Sequence, residues 1–391
     1  MSDTPFLDLS NPDFSTRSPE VLAARNAGWY ARTPYGIAVL RHREAGLLLR
    51  DRRLRQGSHA WPQYMGLRGA FARFWTNSVI AQEGADHKRL RAVFQGAIKP
   101  EAIEAMVPTF HSVADDIINS WDGRVAIEFM SEFATRFAGQ AICTMLGLPR
   151  TEWHRIAEDA SCLGLAMGVD AKSHEGEVNA ATERLYLLAE ELVALADAGR
   201  DGFVTRVVAQ EVDLSREELL NLIVIAIFGG VDTTRAQLGL GMALFAANPE
   251  QWSLLRERPD LIPAAIEETI RMRPTTTWST REALESFVFA GLAIAEGETI
   301  HILAHATARD PQICSDETFS AEAARKMHFG FGGGAHHCLG AAVARADIAA
   351  ALRVMTQRIA AFATSETPLF LPETGNTSPV KLPLTLTYQA Q

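Results

Sequence analysis

A glycine-rich stretch that ends in a single cysteine constrains this chain more than any other feature of its sequence. The stretch runs from Phe331 to Gly340 as FGGGAHHCLG, and an apolar, helix-forming segment follows it. Glycines let a backbone come close to a large, flat partner, and the N–H groups at a helix N-terminus favour a thiolate over a thiol. The stretch therefore suits a cysteine, Cys338, that binds a metal, and the metal we expect is haem iron.

Three other interpretations of this stretch stay open on the residues alone. Cys338 could be an inert buried cysteine, which is common for a lone intracellular cysteine. Residues 330–335 fit the G-x-G-x-x-A dinucleotide pattern, but residues 321–326 do not resemble the buried strand that this motif requires. Cys338 and three nearby histidines could bind zinc, although no second Cys or His pair lies at the spacing of a structural zinc site.

The stretch resembles the haem-binding loop of cytochrome P450 enzymes, whose pattern is F-G-x-G-x-H-x-C-x-G. Every fixed position of that pattern is matched, by Phe331, Gly332, Gly334, His336, Cys338 and Gly340. The resemblance implies a haem b cofactor whose iron takes Cys338 as its axial ligand. It also implies that the other matched residues of the loop lie against the haem.

Composition excludes several classes of protein. The chain has 391 residues, is 47% hydrophobic and carries a formal net charge of −10. Such a chain can bury a large core, and its mild acidity argues against binding to nucleic acid or to an anionic membrane. The first ten residues have no apolar signal core, no run of eighteen apolar residues occurs, and the four cysteines have no framework spacing. These features favour a cytoplasmic protein.

Hydrophobic periodicity predicts a mainly α protein. Apolar residues recur at three- and four-residue spacing in five segments that we predict to be helices: 101–121, 127–146, 180–198, 216–247 and 341–362. Three stretches alternate and are predicted to form strands: 36–41, 287–302 and 380–388.

The resemblance adds the architecture to this pattern. It implies a soluble, bacterial-type cytochrome P450 fold, with a large helical lobe, a smaller β-rich lobe, and haem between the helix 216–247 and the cysteine loop. We expect residues 1–391 to form a single haem domain without a fused reductase.

Two adjacent glycines stand in the middle of the longest predicted helix. Gly229 and Gly230 precede Asp232 and Thr233, and a glycine inside a helix costs about 1 kcal/mol relative to alanine. Close helix packing is one explanation, and a local break that opens a groove is the other. Thr233 lies four residues after Gly229, so its hydroxyl can bond the Gly229 carbonyl, and Asp232 can carry protons from solvent.

These residues match the oxygen-activation motif of the cytochrome P450 family, A/G-G-x-D/E-T. The resemblance implies that Asp232 and Thr233 are the catalytic residues, with Asp232 in the proton relay that drives O–O cleavage. It favours a monooxygenase over the branches of the family that use peroxide.

Glu268 and Arg271 form an E-x-x-R motif. Their i, i+3 spacing places the carboxylate and the guanidinium side by side on one helix face. Such pairs are usually solvated. The resemblance instead implies a buried structural pair behind the haem, without a role in the chemistry.

The two propionates of a haem need cationic partners. His87 and Arg91 have the i, i+4 spacing that places both on one helix face, and they match the family pattern H-x-x-x-R. The resemblance assigns the propionates to these two residues together with Arg281 and His336. Any one of the four could be an ordinary surface cation.

The substrate is the least constrained part of the prediction. Helical spacing and family position assign the pocket to Ile225, Phe228, Gly229, Thr276, Thr277 and Ser279. Core packing is the competing interpretation for Ile225 and Phe228. An apolar wall with a few hydroxyl groups suits a small to medium apolar substrate with one or two polar groups, which the enzyme would hydroxylate with O₂.

The resemblance implies that electrons come from outside the chain. We expect a ferredoxin or flavodoxin and its reductase, which would take them from NAD(P)H. Five basic residues near the predicted haem loop could dock an acidic ferredoxin, although a solvated face explains them equally well: Lys88, Arg89, Lys99, Arg325 and Lys326. Two other functions stay open, a peroxide-driven or C–C-coupling member of the same family and a haem-binding sensor without turnover.

Overall fold

Helices form most of the computed structural model, which describes residues 4–314, 318–322 and 327–389. In chain order the described α-helices are α1 Pro19–Ala27, α2 His42–Leu48, α3 Trp61–Tyr64, α4 Ala70–Asn77, α5 Gly84–Ala97, α6 Pro100–Asn119, α7 Thr135–Leu146, α8 Trp153–Gly164, α9 Glu175–Asp197, α10 Phe203–Val208, α11 Arg216–Ala247, α12 Pro249–Glu257, α13 Ile262–Met272, α14 Ala304–Ala308 and α15 Ala341–Arg358. The prediction of a mainly α fold is confirmed.

The strands are short and lie mostly near the two ends of the chain. They are β1 Tyr30–Thr33, β2 Gly36–Val39, β3 Leu54–Gln56, β4 Ala126–Glu128, β5 Trp278–Ala283, β6 Phe287–Phe289, β7 Leu292–Ile294, β8 Thr299–Leu303, β9 Ile359–Thr364, β10 Leu369–Phe370, β11 Pro379–Lys381 and β12 Pro383–Tyr388. A five-stranded sheet has the order β1-β2-β8-β5-β3, and a three-stranded sheet has the order β4-β12-β9. The remaining strands pair as β6 with β7 and β10 with β11.

The helix α11 runs through the main core of the protein. Its first turn is closed by a capping box, in which Ser215 and Glu218 satisfy each other's backbone N–H groups. Its 32 residues span about 48 Å, with the bounds predicted from periodicity. α11 is long and apolar enough to cross a membrane, but 67% of its most apolar window is buried inside the protein, as in a core helix.

Two of the predicted helices are wrong at one end. Residues 127–146 begin with β4 and a π-helical turn, Met130–Ala134, before α7 starts. Residues 359–362 do not continue α15 but form β9, which pairs antiparallel with β12. Apolar residues in both stretches fit either period, and pairing with a distant strand decides in favour of the sheet.

Strand β5 and helices α5 and α15 carry or flank residues of the predicted motifs. β5 carries Arg281 and pairs with β3 and β8. α5 carries His87 and Arg91, and α15 begins three residues after Cys338. The main apolar cluster includes buried residues of α11, α13 and α15, so these helices share one core with α5.

Glu268 and Arg271 form a pair, as their spacing predicts, and the pair is buried, as the family resemblance implies. Both nitrogens of the bidentate contact, Nε and Nη2 of Arg271, lie 2.7 Å from the Glu268 carboxylate oxygens. The residues are 5% and 1% exposed. Arg271 Nη1 also donates to the Ala308 carbonyl at 3.3 Å, which joins α13 to α14.

Replacing Arg271 with methionine is expected to lower the free energy of unfolding by about 3–5 kcal/mol, because the Glu268 carboxylate would remain buried without its partner. Urea unfolding followed by circular dichroism measures this loss. Arg184→Met is the matched control. Arg184 bonds Asp159 through two nitrogens, but its side chain is 57% exposed, so a loss of about 1 kcal/mol or less is expected. Equal losses in the two variants would contradict a structural role for the buried pair.

Candidate active site

The cysteine loop is closed by its own backbone. The N–H of Cys338 donates to the carbonyl of Phe331 at 2.9 Å, and Gly334–His336 form a single 3₁₀ turn between them. Gly334 has φ +67°, and a Cβ atom there would lie 2.0 Å from the carbonyl oxygen of Leu49. Only glycine fits this contact, so the end of α2 fixes the shape of the loop.

Cys338 is exposed as a residue, yet the protein packed around its sulfur opposes a negative charge there. Burial raises the pKa of the Cys338 thiol, while the backbone N–H of Gly340 and the Arg91 guanidinium lower it. The helix N-terminus therefore acts in the predicted direction, towards the thiolate, while burial acts against it. A coordinated metal deprotonates a thiol outright. The positive charge of a bound iron would therefore stabilise the thiolate that the protein alone does not.

The two glycines of α11 have different surroundings. The helix is continuous through them, so the predicted local break does not occur. A Cβ atom at Gly230 would lie 2.8 Å from Cδ1 of Ile142, which is close packing. A Cβ atom at Gly229 would meet no atom within 4 Å, and Gly229 is exposed although most of α11 is buried. Gly229 thus leaves open space beside the middle of a core helix.

Thr233 makes the hydrogen bond predicted from its spacing. Its Oγ1 donates to the Gly229 carbonyl oxygen at 2.5 Å, and the residue itself is half-buried. The hydroxyl therefore lies on the same face of α11 as the open space at Gly229.

Asp232 is less open to water than the sequence led us to expect. It is 5% exposed, and Nη2 of Arg235 lies 2.9 Å from its Oδ1. On the other side it packs against α8, where a Cβ atom at Gly164 would lie 3.0 Å from Oδ2. Arg235 and α8 therefore enclose the Asp232 carboxylate and separate it from bulk water.

Arg281 is a buried cation whose hydrogen bonds go to neutral groups. It is 4% exposed, and it donates to Oε1 of Gln56 at 2.5 Å and to the carbonyl of Gly333 at 3.1 Å. Burial lowers the pKa of Arg281 to about 10, against the raising influence of Glu83. Across the described ranges no carboxylate pairs with it, which is unfavourable for a buried charge. The site is therefore suited to an anion.

Two of the other predicted cations, His87 and Arg91, also contact the cysteine loop, and the fourth, His336, belongs to it. The rings of His87 and His336 stack with centroids 4.1 Å apart, and Nη2 of Arg91 donates to the carbonyl of His337. Burial, followed by the charge of His336, lowers the pKa of His87 to about 4, so His87 is neutral at pH 7. The structure thus brings together all four residues that were predicted to face the propionates.

Glu83 is a residue of this cluster that sequence reasoning missed. Its Oε1 lies 3.0 Å from Nε2 of His336. Burial disfavours the Glu83 carboxylate, but hydrogen bonds from His336 and from the Gln56 N–H lower its pKa overall. It stands four residues before His87, at the N-cap of α5, and that position is the only sequence signal that could have indicated it.

These features fit a haem. Cys338 is an exposed residue at the end of the loop, Gly229 leaves open space on α11, and Arg281 is a buried cation without an anion. The zinc interpretation finds no support in the part of the chain that the structure describes, where no three His, Cys, Asp or Glu side chains come close enough to hold a metal ion.

The predicted pocket residues do not all face open space. Ile225 and Phe228 are 7% and 5% exposed and belong to the main core, which favours the packing interpretation for both. Thr277 donates its hydroxyl to the carbonyl of Gly375 and is 2% exposed, so it is not free to bind a substrate, contrary to the prediction. Ser279 is half-buried, and its Oγ lies 3.6 Å from a Cβ position at Gly332.

Thr276 is half-buried and has a partner that sequence reasoning missed. Its Oγ1 donates to Oδ1 of Asn376 at 3.1 Å, and the two residues form an antiparallel bridge. No sequence signal links residues one hundred positions apart, so this part of the pocket depended on the tertiary structure.

Three polar residues around α11 were also missed. Arg235 pairs with Asp232 at i, i+3 spacing, a signal that could have been read. Gln237 is a polar residue in an apolar helix, and its Oε1 accepts the N–H of Thr275 at 3.2 Å. Asp347 on α15 accepts the Thr234 hydroxyl at 3.4 Å, and burial raises the pKa of Asp347 well above its usual range.

The basic residues expected to dock a ferredoxin differ in their surroundings. Lys88 and Lys99 are exposed. Arg89 instead forms a salt bridge with Glu218 at the start of α11, so its charge is neutralised within the protein. Residues Arg325 and Lys326 lie outside the described residues.

Comparison with known proteins gives a consistent result. A family model described as Cytochrome P450 matches residues 190–374. The luteothin monooxygenase of Streptomyces thioluteus is 32% identical over 371 residues, which cover 92% of this chain and 90% of that protein. The mycinamicin IV hydroxylase/epoxidase of Micromonospora griseorubida is 28% identical and covers 84% of each chain.

The fold is shared with solved structures. A crystal structure of P450BioI in complex with an acyl carrier protein carrying hexadec-9Z-enoic acid superimposes with a TM-score of 0.86. It covers 97% of this chain and 99% of that chain at 23% identity. At this level of identity the likeness concerns the fold alone.

Arg281→Met is expected to weaken haem retention without weakening the haem-free chain. A charge-assisted hydrogen bond is worth about 1.5–3 kcal/mol, so haem loss to an excess of a haem-scavenging protein should be about 10- to 100-fold faster. The free energy of unfolding of the haem-free variant should not fall, because it loses a buried cation that has no anion. Arg55→Met is the control, since Arg55 already pairs with Glu282 at 2.8 Å. Unchanged haem loss in Arg281→Met would contradict the assignment.

Proposed function

Because the chain belongs to the cytochrome P450 family and is a monooxygenase, we propose that it inserts one oxygen atom of O₂ into a small to medium apolar organic substrate, as a hydroxylation. The balanced reaction consumes O₂, two electrons and two protons, and it releases the hydroxylated substrate and water. The observation that carries the proposal is the pair of adjacent residues on α11, where the Thr233 hydroxyl bonds the Gly229 carbonyl beside a buried Asp232.

Family membership implies haem, and we propose haem b. Cys338 would be its iron ligand, with the loop residues Phe331, Gly332 and Gly340 against the ring. His87, Arg91, Arg281 and His336 would hold the propionates. Bound haem supplies the activation of O₂ and the oxidising power for oxygen transfer. The protein would supply the binding site, exclude water from it and deliver the protons.

Thr233 and Asp232 would deliver those protons. The bond from Thr233 Oγ1 to the Gly229 carbonyl fixes the hydroxyl beside the open space on α11, where its oxygen can accept and pass on a proton. Arg235 binds Oδ1 of Asp232, which leaves Oδ2 as the atom that takes up a proton. Because the aspartate is buried between Arg235 and α8, proton delivery would require its surroundings to open, and this would limit leakage of protons into an empty site.

The substrate would lie in the open space beside Gly229 of α11, with few free polar groups around it. Gly229 leaves room for it, and the partly exposed Thr276–Asn376 pair and Ser279 can bond one or two of its oxygen or nitrogen atoms. The related proteins are named for luteothin and mycinamicin IV, and homologues oxygenate various natural products. A natural product of this kind is the substrate class that we propose.

Electrons would reach the site from NAD(P)H through a separate ferredoxin or flavodoxin and its reductase, in the cytoplasm. The absence of disulfides among the four cysteines of the described chain is compatible with that compartment. The docking surface that we propose for the ferredoxin contains the exposed Lys88 and Lys99. It excludes Arg89, whose charge is paired with Glu218. Ferredoxin affinity that does not respond to Lys88→Glu and Lys99→Glu would contradict this placement.

Asp232→Asn and Thr233→Val are expected to separate proton delivery from substrate binding. With a compound that shifts the haem absorption, Asp232→Asn should form product about 10- to 100-fold more slowly, because general acids contribute at least that much. Thr233→Val should consume NAD(P)H but release more of the O₂ as hydrogen peroxide. Both variants should bind the compound as the unsubstituted protein does.

Thr182→Val is the control for the threonine. Thr182 lies in α9 and makes the same kind of bond, from its hydroxyl to the carbonyl four residues earlier, Val178, at 2.7 Å. Peroxide release equal to that of the unsubstituted protein is expected for it. If Thr233→Val behaves as Thr182→Val does, or if both site variants keep full product yield, the proposed proton path is wrong.

A further inference from the structure

A second carboxylate lies beside the structural pair of α13, and it points to the cysteine loop. Glu267 is 9% exposed. Its Oε1 accepts a hydrogen bond from Nε of Arg345 at 2.6 Å, and its Oε2 accepts one from Nη2 of Arg345 at 3.1 Å. This fork-to-fork contact is the strong, oriented form of a carboxylate–guanidinium pair, and it joins α13 to α15.

The Arg345 guanidinium covers the first residue of the loop. Its central carbon lies 4.5 Å from the centroid of the Phe331 ring, within the range of a cation–π contact. The carbonyl of Phe331 is also the acceptor for the N–H of Cys338. Arg345 therefore holds the residue that closes the loop around the sulfur.

Glu267 also holds the segment that enters the loop. Nε2 of His328 lies 3.3 Å from Oε2 of Glu267. The other ring nitrogen of His328, Nδ1, accepts the N–H of Gly330 at 3.2 Å. One buried carboxylate thus ties down the chain before Cys338 through His328 and the helix after Cys338 through Arg345.

The carboxylate is charged under all ordinary conditions. Burial disfavours its charge, but the hydrogen bonds from His328 and Arg345 lower the pKa of Glu267 to about 2. Arg345 keeps a side chain that is 34% exposed. Two charges of opposite sign therefore lie behind the loop. The negative charge is the Glu267 carboxylate, and the positive charge is the Arg345 guanidinium, which lies over the Phe331 ring.

We propose that Glu267 and Arg345 are positioning residues for Cys338 that also set the reduction potential of the haem iron. The inference rests on the proposed ligation of haem by Cys338. Reduction adds an electron to the iron, so a nearby positive charge favours it and a nearby negative charge opposes it. Removing the charge of Arg345 should lower the potential, and removing the charge of Glu267 should raise it.

Opposite shifts separate this proposal from a merely structural role. Loosening the loop would move the potential of both single variants in the same direction or in neither. Spectroelectrochemical titration of the haem-loaded protein measures the potential of Glu267→Gln, Arg345→Met, the double variant and Arg345→Lys. The double variant should lie between the two single variants, and Arg345→Lys, which keeps the charge, should lie nearer to the unsubstituted protein than Arg345→Met does.

Asp159→Asn and Arg184→Met are matched controls, because they remove the charges of a bidentate pair that joins α8 to α9. Their potentials should equal that of the unsubstituted protein. Shifts of the same sign in Glu267→Gln and Arg345→Met, or no shift in either, would overturn the proposal.

Two further outcomes are informative. If a variant loses haem, urea unfolding of the haem-free chain decides: an unchanged midpoint places the defect at the loop and supports the proposal, and a lowered midpoint assigns the pair to general stability and contradicts it. The carbon monoxide complex of the unsubstituted protein separates this inference from its premise. Without a thiolate-type absorption band there, the ligation itself fails, whatever the potentials are.

Discussion

The proposed site depends on the sulfur of Cys338, which would have to be negatively charged to bind iron, in surroundings that oppose this charge. Burial raises the pKa of the thiol, and the N–H groups at the start of α15 offset only part of this effect. Iron would supply the remaining compensation. The closed loop and the glycine contact with α2 fix the backbone around Cys338, and we propose that the pair Glu267–Arg345 holds the sulfur in place.

Two adjacent glycines of the long helix α11 have different roles. Gly230 lets the helix pack closely on Ile142, whereas its neighbour Gly229 leaves open space at the site. Thr233 completes the arrangement with its bond to the Gly229 carbonyl. The helix remains continuous through this region, so the open space comes from a missing side chain and not from a broken backbone.

Local patterns could be read from the sequence because their causes are local. The bounds of α11 follow from its periodicity, and the bond from Thr233 to Gly229 follows from a spacing of four residues. The pair Glu268–Arg271 is likewise a matter of i, i+3 spacing. These elements needed no knowledge of the rest of the fold.

Apart from the local pair Arg235–Asp232, the missed features depend on contacts between distant segments. Residues 359–362 leave α15 because β12 offers them a partner strand. Arg345 is 78 positions from Glu267, and Asn376 is 100 positions from Thr276. The buried state of Asp232 arises from α8, which packs on it at Gly164. Spacing along the chain contains no information about such contacts, so only the folded structure could reveal them.

The most direct test of this account is the carbon monoxide difference spectrum of the reduced protein, compared between the unsubstituted chain and Cys338→Ala. A long-wavelength Soret band that is present in the first and lost in the second is the predicted result, because only a thiolate ligand from Cys338 produces it. Freshly purified, folded protein that binds no haem, or that gives the band of histidine ligation, would show that Cys338 is not the ligand of a haem iron.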